Sequence, residues 1–321
     1  MHYTESGALD KKHIRSHFVH MLPYSKTYLV PSSTGDGWEL SPSGMDGVID
    51  FFVKETRDLE IRFLIGVLRP DADDAVRDIK KVVERLKDIT GAGDAVRALD
   101  ISGVCGFTVC PPKGKELSQD FIAAKLESIF DLGLPAALYQ LPQITENEIA
   151  PETFERLVCD YSNLYLFKDT SGRDSVIRSG VKTGGVFLVR GGEGDYSIWY
   201  KGDSGGKYNG FLLGSVNSFA KEYHSMLAFL DGGNTKEAER VSEMLTNLVS
   251  GAMKEAEKIP FGNVFSNSNR AFDHFFAYGR DAGRLPLPVT HSLKRLPCDY
   301  IKYVHDLLER HDMLPAKGYL E

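Results

Sequence analysis

Apolar positions along the chain fall into two kinds of stretch. Short, near-continuous apolar runs occur at Thr27–Val30, Ile61–Leu68, Val104–Val109, Ala136–Leu141, Leu164–Phe167, Val186–Val189 and Gly210–Leu213. Runs of this length without polar alternation fit parallel strands covered on both faces. Between them, apolar residues recur at helical spacing. Ile14, Phe18, Met21 and Leu22 form one such stripe. Val76, Ile79, Val82, Val83, Leu86 and Ile89 form a second, and Ile122, Leu126, Ile129 and Phe130 a third. Phe154, Leu157 and Val158 mark a shorter helix. Ser41-Pro42 supplies an N-cap and a first-turn proline, Ser118 caps the third stripe, and Gly133 stands where a C-cap belongs. This strand–helix rhythm predicts an α/β fold with a parallel sheet. It stops after Phe219. Helices are expected at Thr235–Lys258, Arg270–Tyr278 and Tyr300–Arg310, the last two separated by the proline-rich stretch 285–297. The pattern divides the chain into residues 1–220, an α/β unit, and residues 221–321, a helical extension.

Composition narrows the function classes. The chain has 321 residues, 42% hydrophobic and 26% charged, and a net charge of -7. That is enough chain for a large core. The acidic balance, with no basic stripe, argues against nucleic acid as a partner. Cys105, Cys110, Cys159 and Cys298 match no zinc or CxxC spacing and are expected as reduced thiols in a cytoplasmic protein. No apolar run is long enough to cross a bilayer as a helix.

Chemistry concentrates where strands meet loops. Ser33-Thr34-Gly35-Asp36 follows the first run, Tyr139 lies within the fourth, and Lys168 ends the fifth, just before Asp169-Thr170-Ser171-Gly172. In (β/α)8 barrels the C-terminal strand ends carry the catalytic groups. A lysine can form an imine with a keto acid if its surroundings free the amine. A phenol can act as general acid and base. Hydroxyls and amides in a tight glycine turn suit a carboxylate. Arg190-Gly191-Gly192-Glu193-Gly194-Asp195 follows the sixth run, and the absence of GK[ST] sets a phosphate loop aside. His13, His17 and His20 have metal-compatible spacing on one helix, but no carboxylate stands beside them as in HExxH. A solvated helix face and no metal are therefore expected.

The ordered set Ser33-Thr34-Gly35-Asp36, Tyr139-Gln140-Leu141-Pro142 and Phe167-Lys168-Asp169-Thr170-Ser171-Gly172 resembles the dihydrodipicolinate synthase / N-acetylneuraminate lyase superfamily of class I, Schiff-base-forming lyases. The resemblance runs through nearly the whole chain. It implies a TIM (β/α)8-type barrel with a C-terminal helical extension. It implies catalysis by Lys168 as the imine-forming amine, by Tyr139 as the proton shuttle and by Thr34 as its relay. The implied substrate-binding set is Ser33, Thr34, Gly35, Gly192, Glu193, Asp195 and Leu212. Glu193 and Asp195 lie where sugar-acid lyases of the family read the hydroxylated tail. A solvated acidic turn is the other reading of that segment. The resemblance further implies a pyruvate-like 2-keto acid and an aldehyde as ligands, no cofactor beyond the imine on Lys168, and a homo-oligomer, dimer or tetramer.

Departures from the family pattern shape the expectation. Ile144 stands where members that make the lysine precursor carry an arginine for a second carboxylate, and Pro112 and Lys113 stand at the place of their paired tyrosines. Both argue against the dihydrodipicolinate reaction. Ser32 replaces a glycine before the hydroxyl pair, and Asp36 replaces a glutamate. Met1-His2-Tyr3 can supply at most the last residues of the family's first strand, so a barrel with its first strand largely missing from this chain is expected. The leading expectation is a pyruvate-type aldolase acting on a 2-keto acid, with a sugar-derived partner. A 2-keto-3-deoxy sugar-acid dehydratase, a 4-hydroxy-tetrahydrodipicolinate synthase-like enzyme and a non-catalytic keto-acid binder are the alternatives.

Overall fold

The computed structural model describes residues 1–201 and 206–321. An N-terminal arm leads into α1 (Lys11–Met21), followed by β1 (Thr27–Val30), a 3-10 turn (Ser33–Gly35), α2 (Pro42–Leu59) and β2 (Arg62–Gly66). Next come α3 (Ala72–Thr90), α4 (Ala95–Ser102), β3 (Val104–Val109), α5 (Gln119–Phe130) and β4 (Ala136–Gln140). The chain continues through α6 (Pro142–Thr145), α7 (Pro151–Asp160), β5 (Leu164–Asp169), α8 (Ser175–Ser179), β6 (Phe187–Arg190), α9 (Tyr196–Trp199) and β7 (Gly210–Phe211). It ends in α10 (Val216–Asp231), α11 (Thr235–Ala256), α12 (Val264–Tyr278), a 3-10 turn (Gly279–Arg284) and α13 (Cys298–Arg310).

Local chemistry sets many of these boundaries. Ser41 Oγ accepts from Gly44 N at 3.1 Å to open α2, and Ser118 Oγ accepts from Phe121 N at 3.2 Å to open α5. Each satisfies an amide that the helix leaves unpaired. Gly91 and Gly103 end α3 and α4 at φ of 70° and 72°, a conformation that costs glycine little.

The seven strands form one parallel sheet in chain order. The sheet curls, because Leu29 of β1, Leu64 of β2, Ala137 of β4, Leu166 of β5 and Val189 of β6 share a buried cluster with Leu212, one residue past β7. Its two ends thus face the same interior. No strand among the described residues joins β7 to β1. The arm makes one antiparallel bridge with itself, Tyr3 to Leu9, so Met1-His2-Tyr3 adds no rung to the sheet. Among the described residues the architecture is a seven-stranded curled parallel sheet with two open edges.

The outer strand faces pack on the helices. Phe63, Phe107 and Phe167 join Phe52, Phe130 and Phe154 in the main core. A second core, built on α10 to α13, reaches back to Tyr196 and Leu213.

Several expected elements differ in extent. The fifth strand does not stop at Phe167 but carries Lys168 and Asp169 as paired residues. Gln140 and Ser171 hold the Asp169 carboxylate, and that lets the strand run on. The second strand is shorter than its apolar run, ending at Gly66. Helix α4 is an addition. It is eight residues long, with Ala98 and Leu99 buried but Val96 and Ile101 exposed, which scrambles its periodicity. Helix α10 is a second addition, kinked at Phe219.

Candidate active site

Strand register builds the site. Side chains two residues apart share a face. Ala137, Leu166 and Val189 line the interior, so Tyr139, Lys168 and Gly191 follow them toward its C-terminal mouth. Tyr139 and Lys168 are direct partners across β4 and β5. Both are buried, at 3% and 6% exposure, and Lys168 Nζ lies 4.0 Å from the centroid of the Tyr139 ring. A lysine this dry is uncommon without an opposing carboxylate in contact. Gly191 makes room for it. A Cβ there would come within 2.7 Å of Lys168 Cε and 2.3 Å of Thr170 Oγ1.

The hydroxyl turn sits opposite. Ser33, Thr34 and Gly35 line the same cavity as Tyr139, Lys168, Glu193 and Leu212, a space of about 620 Å³. That volume suits a small-molecule substrate. Thr34 Oγ1 is 2.7 Å from Ser32 Oγ, and Trp38 Nε1 donates to Ser33 Oγ at 2.9 Å. Helix α12 holds the turn in place. Ser266 Oγ donates to the Thr34 carbonyl at 3.1 Å, and Asn263 Nδ2 donates to the Ser33 carbonyl at 3.2 Å. Arg270 forms a buried ion pair with Asp36. Ile144 and Lys113 also line the cavity.

The segment after β6 separates into two parts. Glu193 faces the cavity, half-buried. Its Oε2 accepts from Tyr196 at 2.9 Å and from Ser215 Oγ at 2.7 Å. Burial raises its carboxyl above the ordinary range, against the pull of those hydrogen bonds and of the Lys168 charge. Asp195 is exposed, and Gly192 turns its carbonyl to Arg190; neither lines the cavity.

Sequence inspection passed over several groups here. Arg190 donates to the carbonyls of Gly192 and Gly194, each at 2.8 Å, and pairs with buried Asp174, which shapes the loop that presents Glu193. Asp169 is fully buried, and burial raises its carboxyl. Thr170 Oγ1 is buried without a hydrogen-bond partner beside Lys168. Burial pushes the Cys110 thiol up despite the nearby Lys168 charge. Asp169 and Arg190 end strands and Thr170 and Cys110 follow them, and only that placement could have pointed to them.

The expectation of a solvated histidine face on α1 is corrected. His13 and His17 have side-chain exposures of 13% and 12% and face the buried Asp273 of α12, whereas His20 is exposed. The four cysteines are free thiols. Among the described residues no helix is long and apolar enough to cross a membrane.

A dry lysine beside a phenol, at the C-terminal mouth of a curled parallel sheet, defines a site suited to imine chemistry on a small carbonyl compound. The chain belongs to the dihydrodipicolinate synthetase family, whose profile matches residues 91–266. Membership supports a class I pyruvate-dependent aldolase or lyase in general terms. No curated protein matches the chain in sequence. Among solved structures, the chain resembles YagE, a prophage protein of the dihydrodipicolinic acid synthase family from E. coli K12, in complex with pyruvate. The TM-score is 0.73 at 18% identity, over 97% of this chain and 96% of that one. Dihydrodipicolinate synthase from Aquifex aeolicus gives 0.72 at 16% identity, over 98% and 96% of the chains. The enzyme from Thermotoga maritima gives 0.70 at 16%, over 96% and 94%. At this identity these likenesses establish the fold.

Proposed function

We propose that the protein is a pyruvate-type Schiff-base lyase that cleaves or forms a 2-keto acid through an imine on Lys168, on a sheet that stands in for a (β/α)8 barrel. The observation that carries it is the buried Lys168 amine over the Tyr139 ring, in a cavity shared with the Ser33-Thr34-Gly35 turn. The neutral amine attacks the keto carbon, Tyr139 gives its proton to the departing hydroxyl, and water leaves a protonated iminium. In the cleavage direction the C3–C4 bond breaks. Its electrons form an enamine on the imine, and the C4 hydroxyl loses its proton as it becomes an aldehyde. Tyr139, now a phenolate, takes that proton with Thr34 as its relay and gives it to C3 of the enamine, which restores the iminium. Ser33, Thr34 and Gly35 hold the carboxylate. Hydrolysis of the imine then frees the keto acid and the lysine.

Glu193, anchored by Ser215 and Tyr196, reads a hydroxyl on the aldehyde half, which favours a sugar-derived or otherwise hydroxylated partner. Ile144 at the cavity wall offers no charge for a second carboxylate, which disfavours the dihydrodipicolinate reaction. Borohydride reduction in the presence of pyruvate should fix a mass on Lys168, located by peptide mapping. An unmodified Lys168 under those conditions would end the proposal. Product analysis then separates aldol cleavage, which releases an aldehyde, from dehydration, which does not.

A further inference from the structure

A second cluster lies on the wall of the same cavity, away from the imine chemistry. It draws on separate parts of the chain: His2 from the N-terminal arm, His13 and His17 one turn apart on α1, and Asp273 from α12. His2 Nε2 is 3.4 Å from His17 Nδ1 and 3.4 Å from Asp273 Oδ2, and His17 Nδ1 is 3.6 Å from Asp273 Oδ1. A tetrahedral zinc ion with bonds of about 2.0–2.1 Å separates its ligand atoms by roughly 3.3–3.4 Å. The three side chains come close to that spacing, His2 facing Oδ2 and His17 facing Oδ1, and one ligand atom from each lies within 4.8 Å of the others.

Hydrogen bonding gives an independent indication. His17 Nε2 lies 2.6 Å from the carbonyl oxygen of Asn217. A carbonyl only accepts, so Nε2 carries the hydrogen. With Nε2–H on that carbonyl, Nδ1 of His17 faces the Asp273 carboxylate and the His2 imidazole, and either a hydrogen or a metal ion placed there satisfies all three. A metal-ligating histidine is typically oriented in this way, with its far N–H on a carbonyl. The carboxylate is oriented too. His13 Nε2 is 2.9 Å from Asp273 Oδ2, and Tyr319 donates its hydroxyl proton to Oδ1 at 2.7 Å.

We infer that His2, His17 and Asp273 form a binding site for a first-row divalent transition metal, with zinc the best fit, supported by His13 and Tyr319. Two imidazoles and one carboxylate favour such ions over magnesium or calcium, which prefer all-oxygen shells. Because His2, His17 and Asp273 all line the cavity, the remaining coordination positions open onto it. The ion would also tie the N-terminal arm and α1 to α12, next to the open edge of the sheet. None of this depends on imine formation at Lys168.

The test uses untagged full-length protein, stripped with a chelator, loaded with zinc and passed through gel filtration before metal analysis. One zinc per chain is expected, undiminished by excess magnesium or calcium. The cobalt-loaded protein should show the strong visible absorption of a low-coordinate site. His17→Gln and His2→Gln, each checked for fold by circular dichroism, should lose the ion. Tyr319→Phe should weaken zinc affinity about 10–100-fold through the carboxylate it orients. His305→Ala, in the exposed His305–Asp306–Glu309 group, should leave the stoichiometry unchanged. Wild type that retains no zinc overturns the inference. So does a folded His17→Gln protein that retains as much zinc as wild type, in which case a neutral His2 donates its Nε2 hydrogen to His17 and Asp273.

Discussion

Tyr139 and Lys168 are set by strand register more than by any feature of their own. Tyr139→Phe keeps the ring against Lys168 and removes only the exchangeable proton. It should leave pyruvate trapping on Lys168 intact while lowering kcat about 10²–10⁴-fold, the usual worth of a positioned acid–base group. Rate and trapping measured on one preparation separate proton transfer from imine formation. Glu193 makes a pH prediction. Its proton leaves the unfolded chain near pH 4.3, whereas burial raises the folded value above that. Within that window the folded state holds a proton that the unfolded state has lost. Stability therefore falls as pH rises through the window and levels off above it. Glu193→Gln should flatten that part of the profile in urea titrations run at a series of pH values. Identical profiles for variant and wild type would show that Glu193 does not titrate abnormally.

At the scale of elements, the link between the turn after β1 and helix α12 matters most. Asp36 and Arg270 are 4% and 5% exposed, and Tyr3 also donates to Asp36 at 2.9 Å. Removing one partner leaves a buried charge uncompensated, so Arg270→Met should cost about 3–5 kcal/mol. Arg270→Met combined with Asp36→Asn should recover part of that loss, read as urea midpoints. Equal midpoints for wild type and Arg270→Met would mean that the pair contributes nothing net. The elements themselves were unevenly legible. Seven apolar runs identified seven strands, because a strand buried on both faces leaves a dense local signal. Helix α4 left little, since it packs on α3, β3 and α2 without a clean periodic stripe of its own. Lys168 and Asp169 read as a strand end because both are polar. Hydrogen bonds from Gln140 and Ser171, remote or just beyond the run, keep them in the sheet.

For the whole molecule, the helical region completes the site. Ser266, Asn263 and Arg270 of the α12 region hold the Ser33-Thr34 turn, and the helical core packs on Tyr196, Leu213 and Phe219. A chain cut after Ala220 should therefore show no cooperative unfolding transition and no pyruvate adduct on Lys168. A soluble fragment with native near-ultraviolet circular dichroism would instead make residues 1–220 an independently folding unit. Among the described residues the curled sheet is open between β7 and β1, and Ile14, Phe18 and Met21 of α1 line the cavity there. Residues from both edges, Leu29 and Phe211, line the cavity as a result.

Sequence alone determined the seven parallel strands, most of the helices and the ordered trio of hydroxyl turn, tyrosine and lysine. The strands and helices rest on spacing within a few dozen residues, where periodicity and turn chemistry act, and the trio on three short motifs that each stand at a strand end. Only the tertiary structure decided that Lys168 is buried against Tyr139, and that Glu193 faces the cavity while Asp195 does not. It alone also brought His2, His17 and Asp273 together from opposite ends of the chain. Those outcomes depend on how the sheet curls and where α12 docks, and no local pattern encodes the packing of segments 250 residues or so apart.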